Sequence, residues 1–383
     1  MSIDAARFQR QMQLPRFGAE GQARLARARV LVAGCGALGT VVAEQLARAG
    51  VGTLVIVDRD IVEWSNLQRQ TLFTEADARR GVPKAEAAKA RLAQVHGGTV
   101  ARAFVDDLHG ANALRYASEA DLIVDCLDNF ETRFVLNECA VKLGLPLVYG
   151  GAISFRGMAA ALLPRTGADR DDAHADGRER LVRWPTGRST PCLRCLVPEP
   201  PAAGELETCE AAGVLAAACG VVGSLEAAFT LRLLAEGPRD VPATLVRFDL
   251  GSMRFDASSL ASAMDDACAC CVGLRFTHIE AAGSRRARVL CGRNAVELVL
   301  DGVLDGAGLE RIAQRMESLC DSAGDVARGS HGGTASVKAR LAFGSEGPTA
   351  VTVLAGETAT LAIVEGTSDP ERARAIVARS LGM

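Results

Sequence analysis

The sequence is poor in aromatic residues and has no strong charge of either sign. Phe, Trp and Tyr make up only 4% of the 383 residues, so Ala, Val and Leu must fill the core, as suits close helix–sheet packing. A formal net charge of −3, from 43 Lys+Arg and 46 Asp+Glu, provides no basic field to attract nucleic acid. Hydrophobic residues reach 49%, which together with the low net charge excludes an intrinsically disordered chain.

Segments typical of export or membrane insertion are also missing. The N-terminal stretch MSIDAARFQRQMQLPRFG is polar and has no apolar core of the kind that signal peptides contain. No apolar run reaches the roughly 18 uncharged residues that span a bilayer. We therefore expect a cytoplasmic protein without a membrane partner. In that compartment the 12 cysteines indicate metal or thiol chemistry more than disulfides.

The clearest pattern is a β–α–β unit with a glycine-rich turn. The segment Arg29–Gly39, RVLVAGCGALG, is a short apolar strand that runs into G-x-G-x-x-G. A helical stretch follows at Thr40–Ala49, and a second buried strand at Thr53–Asp58 ends in a carboxylate. This order of elements is typical of a nucleotide-binding unit.

The turn and the carboxylate each suit one part of a nucleotide. Glycines permit a tight turn and a close approach of the backbone to phosphate at the positive end of the next helix. Asp58 is expected to accept hydrogen bonds from a ribose. The three glycines are Gly34, Gly36 and Gly39. This motif alone does not distinguish NAD from ATP.

Strand and helix patterns continue to alternate, which predicts an α/β fold with a Rossmann-like, doubly wound and mainly parallel sheet. A boundary near residue 274 divides the chain into an ATP-binding unit at 1–274 and a small α+β unit at 275–383. In the second unit we predict several strands, two helices and a flexible Gly-rich loop at Gly324–Thr334. Further strands of the first unit are predicted at Val100–Val105, Asp121–Cys126, Leu145–Gly150, Met158–Leu163 and Thr244–Asp249.

Charged side chains accumulate after the second strand, and they favour phosphoryl chemistry. A nicotinamide site needs apolar walls, whereas Arg69 and Lys84 would lie near a polyphosphate. Asp128, at the carboxyl end of a strand, is placed to bind a divalent cation. Cations and a metal ion stabilise charge that develops on phosphoryl oxygens. The pattern therefore favours MgATP, with attack on its α-phosphate, over hydride transfer.

Two Cys-x-x-Cys pairs form a second strong signal. Cys192 and Cys195 make the first pair, and Cys268 and Cys271 the second. Four thiolates suit a closed tetrahedral Zn²⁺ site, while reduced buried thiols are the alternative.

Cys209 precedes a predicted helix, whose N-terminus lowers the pKa of a thiol and makes it more nucleophilic.

These motifs together resemble the ThiF/MoeB/HesA adenylating enzymes, which are related to ubiquitin-activating enzymes. The resemblance spans about Arg7 to Cys271 and rests on RFQRQ, GCGALGT, DRDIVEWSNLQRQ, Pro83-Lys84, DCLDN, PCLRC and TCEAAGV. It implies a homodimer that uses MgATP to adenylate the C-terminal glycine of a small β-grasp sulfur-carrier protein ending in Gly-Gly. A separate sulfur donor would then supply the thiocarboxylate sulfur.

The resemblance also implies roles for individual residues. Gly36 and its neighbours would form the phosphate loop, and Asp58 would bind ribose. Asp128 would serve the metal and the carrier terminus, and Arg10 would reach into the partner subunit's ATP site. Cys209 stands at the position of the family's transfer cysteine. The family pattern favours Cys268 and Cys271 over Cys270 as zinc ligands. The remaining cofactor-binding residues would be Asp60, Asn66, Arg69, Lys84 and Asn129.

Two alternatives stay open on the sequence. The GCGALG turn and Asp58 alone also fit an NAD(P)-dependent oxidoreductase. A close enzymatic variant would adenylate a small-molecule or peptide carboxylate instead of a carrier protein. The pathway and the carrier are not named by any motif, and the C-terminal unit shows no catalytic motif.

Overall fold

A computed structural model describes most of the chain. The described residues are 6–163, 189–199, 212–238, 241–280, 287–290, 295–300, 304–320, 326–331, 334–343, 346–355, 360–367 and 369–381.

The first unit is built around a mixed sheet whose eight described strands follow the order β3-β2-β1-β4-β5-β6-β7-β8. The strands β1 to β5 are parallel, and β6, β7 and β8 extend the sheet with antiparallel pairs. The strands are β1 Arg29–Ala33, β2 Thr53–Val57, β3 Val100–Phe104, β4 Leu122–Asp125, β5 Leu147–Ile153, β6 Arg156–Leu162, β7 Thr244–Asp249 and β8 Arg254–Ser259.

Helices cover both faces of the parallel strands, as the sequence predicts for a doubly wound α/β fold. The longest described helix of this unit is α9, which lies across β5 and β6 and packs on α3. The helices are α1 Gln9–Met12, α2 Gly18–Arg27, α3 Ala37–Arg48, α4 Glu75–Arg80, α5 Lys84–Val95, α6 Ala113–Ser118, α7 Phe130–Leu143, α8 Leu193–Leu196, α9 Ala216–Ala235 and α10 Thr277–Glu280.

The period-2 alternation of the central strands divides the core into two layers. Val30 and Val32 of β1 point to the layer that contains α3 and α9. Leu31 and Ala33 point to the opposite layer, with α6 and α7. A strand that is buried on both faces is uniformly apolar, which is why RVLVA was recognisable as a central strand.

Among the described helices, α9 is long and apolar enough to cross a membrane by length and composition alone. Within the fold, 56% of its apolar window is buried. The same helix carries Glu226, which is fully buried against the sheet. These are the properties of a core helix.

The C-terminal unit has a second sheet, antiparallel throughout, with the described strand order β11-β12-β13-β14-β10-β9. Two helices pack against one face of it, and Val296, Leu298 and Val351 are among the buried residues there. The elements are β9 Ala287–Leu290, β10 Ala295–Leu300, α11 Gly306–Glu317, β11 Val326–His331, β12 Thr334–Phe343, β13 Glu346–Ala355, β14 Thr360–Glu365 and α12 Pro370–Leu381.

One expectation for this unit is wrong. Within the Gly-rich stretch predicted as a loop, Val326–His331 forms β11 and pairs with β12 in regular antiparallel register. Small and polar residues such as Gly329 and Ser330 lack the apolar alternation that identifies a strand, so sheet pairing here overrides local propensity.

The opposite face of the C-terminal sheet packs on the first unit. Ala295, Leu354 and Leu361 belong to the same buried cluster as the core of the nucleotide-binding unit. The backbone of α10, at His278 and Ile279, still donates hydrogen bonds of 2.9 Å to Glu138 of α7. The boundary at residue 274 stays a prediction.

Glu226 is a carboxyl group buried in the core between α9 and the sheet. A Cβ added at Gly150 would lie 2.3 Å from its Cδ, so only a glycine fits at that point of β5. Its Oε1 accepts a 3.9 Å hydrogen bond from the Cys126 thiol, while Oε2 has no hydrogen-bond partner among the described residues. Burial, and then the charge of Asp125, raise the pKa of Glu226 well above its ordinary value.

A raised pKa in the folded state means that folding is most favoured where Glu226 is protonated. The unfolding free energy should therefore fall as pH rises above about 4.3, the ordinary pKa of Glu. We expect Glu226→Gln to flatten this decline and to stabilise the protein at pH 8 by on the order of 1–3 kcal/mol. Urea unfolding at pH 5 and pH 8 measures both effects. The exposed Glu20→Gln is the control, and equal pH dependence in all three proteins would contradict the assignment.

Candidate active site

The glycine-rich turn connects β1 to α3, as predicted. Gly34 has a φ of +86°, a conformation that favours glycine, and a Cβ there would lie 2.9 Å from the carbonyl oxygen of Cys126. A Cβ at Gly39 would lie 2.0 Å from the carbonyl oxygen of Gly34. The chain's own packing therefore requires both of these glycines.

Gly36 differs from them, because the protein leaves space around it. A Cβ at Gly36 would meet no atom closer than Gln70 Nε2, at 3.8 Å. Gly36 is the N-cap of the 12-residue helix α3, whose first amide groups and dipole attract anions. The open space in front of these amides is where a phosphate would lie.

Asp58 follows β2 and binds the same turn. Its Oδ2 accepts a 2.6 Å hydrogen bond from the Cys35 amide, and its Oδ1 accepts a 2.8 Å bond from the Asp60 amide. Desolvation raises the pKa of Asp58, while Lys84 opposes this shift. A carboxylate offers about four lone pairs, so two remain for the hydroxyls of a ribose.

Lys84 lies at the start of α5 and is fixed by Asp60. Its ammonium Nζ is 2.7 Å from Asp60 Oδ2, and its amide donates a 2.8 Å bond to the Asp60 carbonyl. Only 3% of the Lys84 side chain is exposed, so the ammonium has a defined position beside the β2 end of the sheet. A buried cation at a helix N-terminus next to a glycine turn can bind the phosphates of a nucleotide.

Asn66 is the last residue of a 3₁₀ turn, Trp64–Asn66, and Arg69 lies three residues after it. Asn66 is buried and its Oδ1 accepts the Glu63 amide at 3.1 Å, which closes the turn. The guanidinium of the partly exposed Arg69 donates to the Ser65 carbonyl at 2.8 Å. These contacts fix the turn, and the nucleotide-binding roles of both residues stay predictions.

Gln70, the last residue of the NLQRQ motif, was not singled out from the sequence. It is 4% exposed, and its Oε1 has no hydrogen-bond partner among the described residues. Its Nε2 is the atom that faces Gly36. A buried amide oxygen without a partner costs free energy unless a ligand or water supplies a donor, so Gln70 belongs with the candidate nucleotide-binding residues.

Asp128 and Asn129 follow β4 in an exposed corner, where a hard cation such as Mg²⁺ could bind the carboxylate oxygens. Asn129 is the N-cap of α7, and its Oδ1 accepts the Thr132 amide at 2.9 Å. Burial lowers the pKa of Arg133, but nearby charges, Asp125 first and Asp128 among them, raise it above its ordinary value.

Arg133 is a second residue that the sequence reasoning missed. Its guanidinium donates to the carbonyl of Leu127 and, at 2.8 Å, to the carbonyl of Gly150. It is also 3.6 Å from the Asp125 carboxylate. These contacts tie the corner that contains Asp128 to β5. The only signal in the sequence is an arginine one helical turn after Asn129.

Arg10 lies apart from this site within one chain. It is exposed on α1, and α1 packs on α2. Within the described part of the chain, no hydrogen bond or ion pair joins Arg10 to the glycine turn. Cys209 lies outside the described residues.

The four predicted cysteine ligands come together in one cluster. Their Sγ atoms lie within 4.8 Å of one another, with 3.9 Å between Cys192 and Cys195, 3.7 Å between Cys192 and Cys268, and 3.5 Å between Cys195 and Cys271. Tetrahedral zinc with Zn–S bonds of about 2.3 Å needs sulfur atoms about 3.8 Å apart. The cluster therefore fits Zn²⁺.

Cys270 is fully buried beside this cluster and has a different partner. Its Sγ accepts a 3.4 Å hydrogen bond from Asn137 Nδ2. The Oδ1 of the same amide accepts the Leu193 backbone N–H at 2.8 Å, which positions the first Cys-x-x-Cys turn.

Solved structures with this fold include E. coli MccB. One described as MccB with ATP matches with a TM-score of 0.54 and 21% identity, over 69% of this chain and 74% of that chain. The likeness concerns the fold alone. It agrees with the predicted Rossmann-like sheet.

Relatives of known name are closer in sequence. "Sulfur carrier protein ThiS adenylyltransferase" of Bacillus subtilis is 36% identical over 82% of this chain and 89% of its own length. "Sulfur carrier protein adenylyltransferase" of Thermus thermophilus is 42% identical over 60% of this chain and 77% of its own length. "SAMP-activating enzyme E1" of Haloferax volcanii is 35% identical over 67% and 86%.

The family model described as ThiF matches residues 8–270. This span includes the glycine turn, Lys84, the Asp128 corner and three of the four clustered cysteines. This span exceeds half of the chain. The chain belongs to the ThiF family.

Proposed function

We propose that this protein is an ATP-dependent adenylyltransferase that activates the C-terminal glycine of a ubiquitin-like sulfur-carrier protein. The observation that supports it best is the buried Lys84–Asp60 pair, 2.7 Å long, beside an open glycine turn. Two of the named relatives are sulfur carrier protein adenylyltransferases. Family membership favours this reaction over the alternative of hydride transfer.

The reaction needs charge stabilisation more than covalent chemistry. A carboxylate oxygen of the carrier attacks the α-phosphorus of ATP, the bond to the bridging oxygen breaks, and pyrophosphate leaves with the electron pair. The products are the acyl-adenylate and pyrophosphate. Bound Mg²⁺ supplies charge neutralisation on the phosphates when present.

The chain's own residues have distinct tasks in this proposal. The α3 amides near Gly36 bind phosphate, and Asp58 binds the ribose. Lys84 and Arg69 bind the triphosphate through charge-assisted hydrogen bonds. Asp128 binds the metal and orients the carrier terminus.

A homodimer is part of the proposal, because the exposed Arg10 makes no described hydrogen bond or ion pair with the glycine turn of its own chain. An apolar groove between α3 and α9 is where a second copy of the chain would bind, since Val41, Ala217, Val221 and Leu225 line this groove.

We also propose that the four-cysteine cluster binds structural Zn²⁺. A separate sulfur donor, the cytoplasmic location and a covalent role of Cys209 stay predictions.

Loss of any one charged group at the nucleotide should strongly reduce acyl-adenylate formation. We expect Lys84→Ala, Arg69→Ala and Asp128→Ala each to reduce carrier-dependent ATP–pyrophosphate exchange about a hundredfold, since one preorganised charge contributes about 3 kcal/mol. Arg48→Ala, which removes an exposed arginine paired with Glu44, is the matched control and should keep full activity. Near-normal exchange by Asp128→Ala would overturn the metal assignment.

A shared active site predicts complementation between inactive subunits. Mixing Arg10→Ala protein with Asp128→Ala protein should restore part of the exchange activity, because one site of each mixed dimer then has both residues. Subunit exchange is verified by mass spectrometry of the intact dimers. A verified mixture as inactive as its parents would show that Arg10 does not act across the dimer.

Zinc binding predicts one metal ion per chain and a loss of stability on chelation. The binding free energy of the metal adds to the stability of the folded state, whereas ATP chemistry does not involve it directly. Elemental analysis and thermal unfolding with and without chelator measure both effects. Cys268→Ser should lose the metal, while Cys270→Ser should keep it. A wild-type protein that lacks zinc when purified without chelator would refute the site.

A further inference from the structure

Glu297 is a buried acid on the face of the C-terminal sheet that packs against the nucleotide-binding unit. It lies in β10 between Val296 and Leu298, and both of those neighbours point to the helix-covered face. Alternation along a strand therefore directs Glu297 to the opposite face. Only 2% of its side chain is exposed. A carboxylate this buried requires a cationic partner.

The partner is Arg59, which lies between the two units. Its guanidinium is 2.6 Å from Glu297, 3.0 Å from Asp107 and 3.8 Å from Asp60. Burial lowers the pKa of Arg59, but the charges of these acids outweigh it, with Asp107 first, and raise the pKa above its ordinary value. Arg59 is therefore a permanent cation shared among several carboxylates.

Asp60 is the member of this group that contacts the proposed nucleotide site. Its Oδ2 is 2.7 Å from Lys84 Nζ, much closer than the 3.8 Å that separates its Oδ1 from Arg59. Glu297 and Asp107 thus hold the Arg59 guanidinium away from Asp60. The Asp60 carboxylate is therefore left to orient Lys84. Without the Glu297 charge, Arg59 would move toward Asp60 and compete with Lys84 for its carboxylate.

The same face of the sheet contacts the segment around Lys84 at two further places. Lys338 Nζ is 2.6 Å from Glu63, and Glu63 closes the 3₁₀ turn together with Asn66. The Ser336 hydroxyl donates a 3.2 Å bond to the carbonyl of Gly81. The C-terminal sheet therefore supports the chain shortly after Asp60 and shortly before Lys84.

We propose that Glu297 is a positioning residue for ATP binding, acting through Arg59 and Asp60 on Lys84. The C-terminal unit thereby becomes a part of the nucleotide site, although it contributes no residue that touches the nucleotide. This inference rests on the proposed role of Lys84 at the ATP phosphates.

The test compares a nucleotide that has phosphates with a nucleoside that has none. We expect Glu297→Gln to weaken MgATP binding, measured by calorimetry without carrier, about tenfold, and to leave adenosine binding unchanged, because Lys84 serves only the phosphates. Glu365→Gln is the matched control. It removes an acid from the same face that contacts Lys338 at 3.7 Å, and it should change MgATP affinity less than twofold.

A second comparison tests whether the effect passes through Arg59. Arg59→Met removes the competing guanidinium, so adding Glu297→Gln to it should cause no loss of MgATP affinity, because Glu297 acts only through Arg59. Glu297→Asp keeps the charge but shortens the side chain, so it should lose less MgATP affinity than Glu297→Gln and leave adenosine binding unchanged. If Glu297→Gln unfolds, this smaller selective loss is the result to be measured.

Unchanged MgATP affinity in a folded Glu297→Gln protein would overturn the inference. A parallel loss of adenosine binding would also overturn it, because general loosening of the Asp58–Asp60 segment would then be the cause. Failure of the wild-type protein to bind MgATP at all is a separate result, and it would contradict the proposed function instead.

Discussion

The ion pair between Asp60 and Lys84 is the contact on which the candidate site depends. It joins the end of β2 to the start of α5 with an Nζ–Oδ2 distance of 2.7 Å and an almost fully buried ammonium. A lysine side chain is flexible in water, so a fixed position requires such a partner. Arg59 lies 3.8 Å from Asp60 and is itself paired with Asp107 and Glu297. The free energy of burying these charges is offset only while the whole group stays together.

The fold places this group where the chemistry needs it. The carboxyl ends of β1, β2 and β4 meet at one edge of the parallel strands, so the glycine turn, Asp58 and the Asp128 corner face one region. Gly34 and Gly39 permit the tight turn, while Gly36 leaves the α3 amides open. Arg133 then ties the Asp128 corner to the sheet through two backbone carbonyls. Local chain geometry and buried ion pairs therefore define the site together.

Much of the fold and part of the site could be predicted from the sequence, because their signals are local. The apolar run before Gly34, the spacing to Asp58 and the paired cysteines lie within short segments, and the structure brings the cysteines together as expected. The Arg59–Glu297 pair could not be predicted, since its residues are far apart in sequence and each alone resembles a surface charge. Gln70 and Arg133 were missed because only burial distinguishes them from solvated residues.

A crystal structure with MgATP or a non-hydrolysable analogue tests the central claim most directly. The account predicts the ribose at Asp58, phosphate at the α3 amides near Gly36, and Lys84 Nζ at about 3 Å from a phosphate oxygen while Asp60 still contacts it. A nucleotide bound at another place, or a Lys84 that contacts Asp60 but no phosphate, would contradict the account.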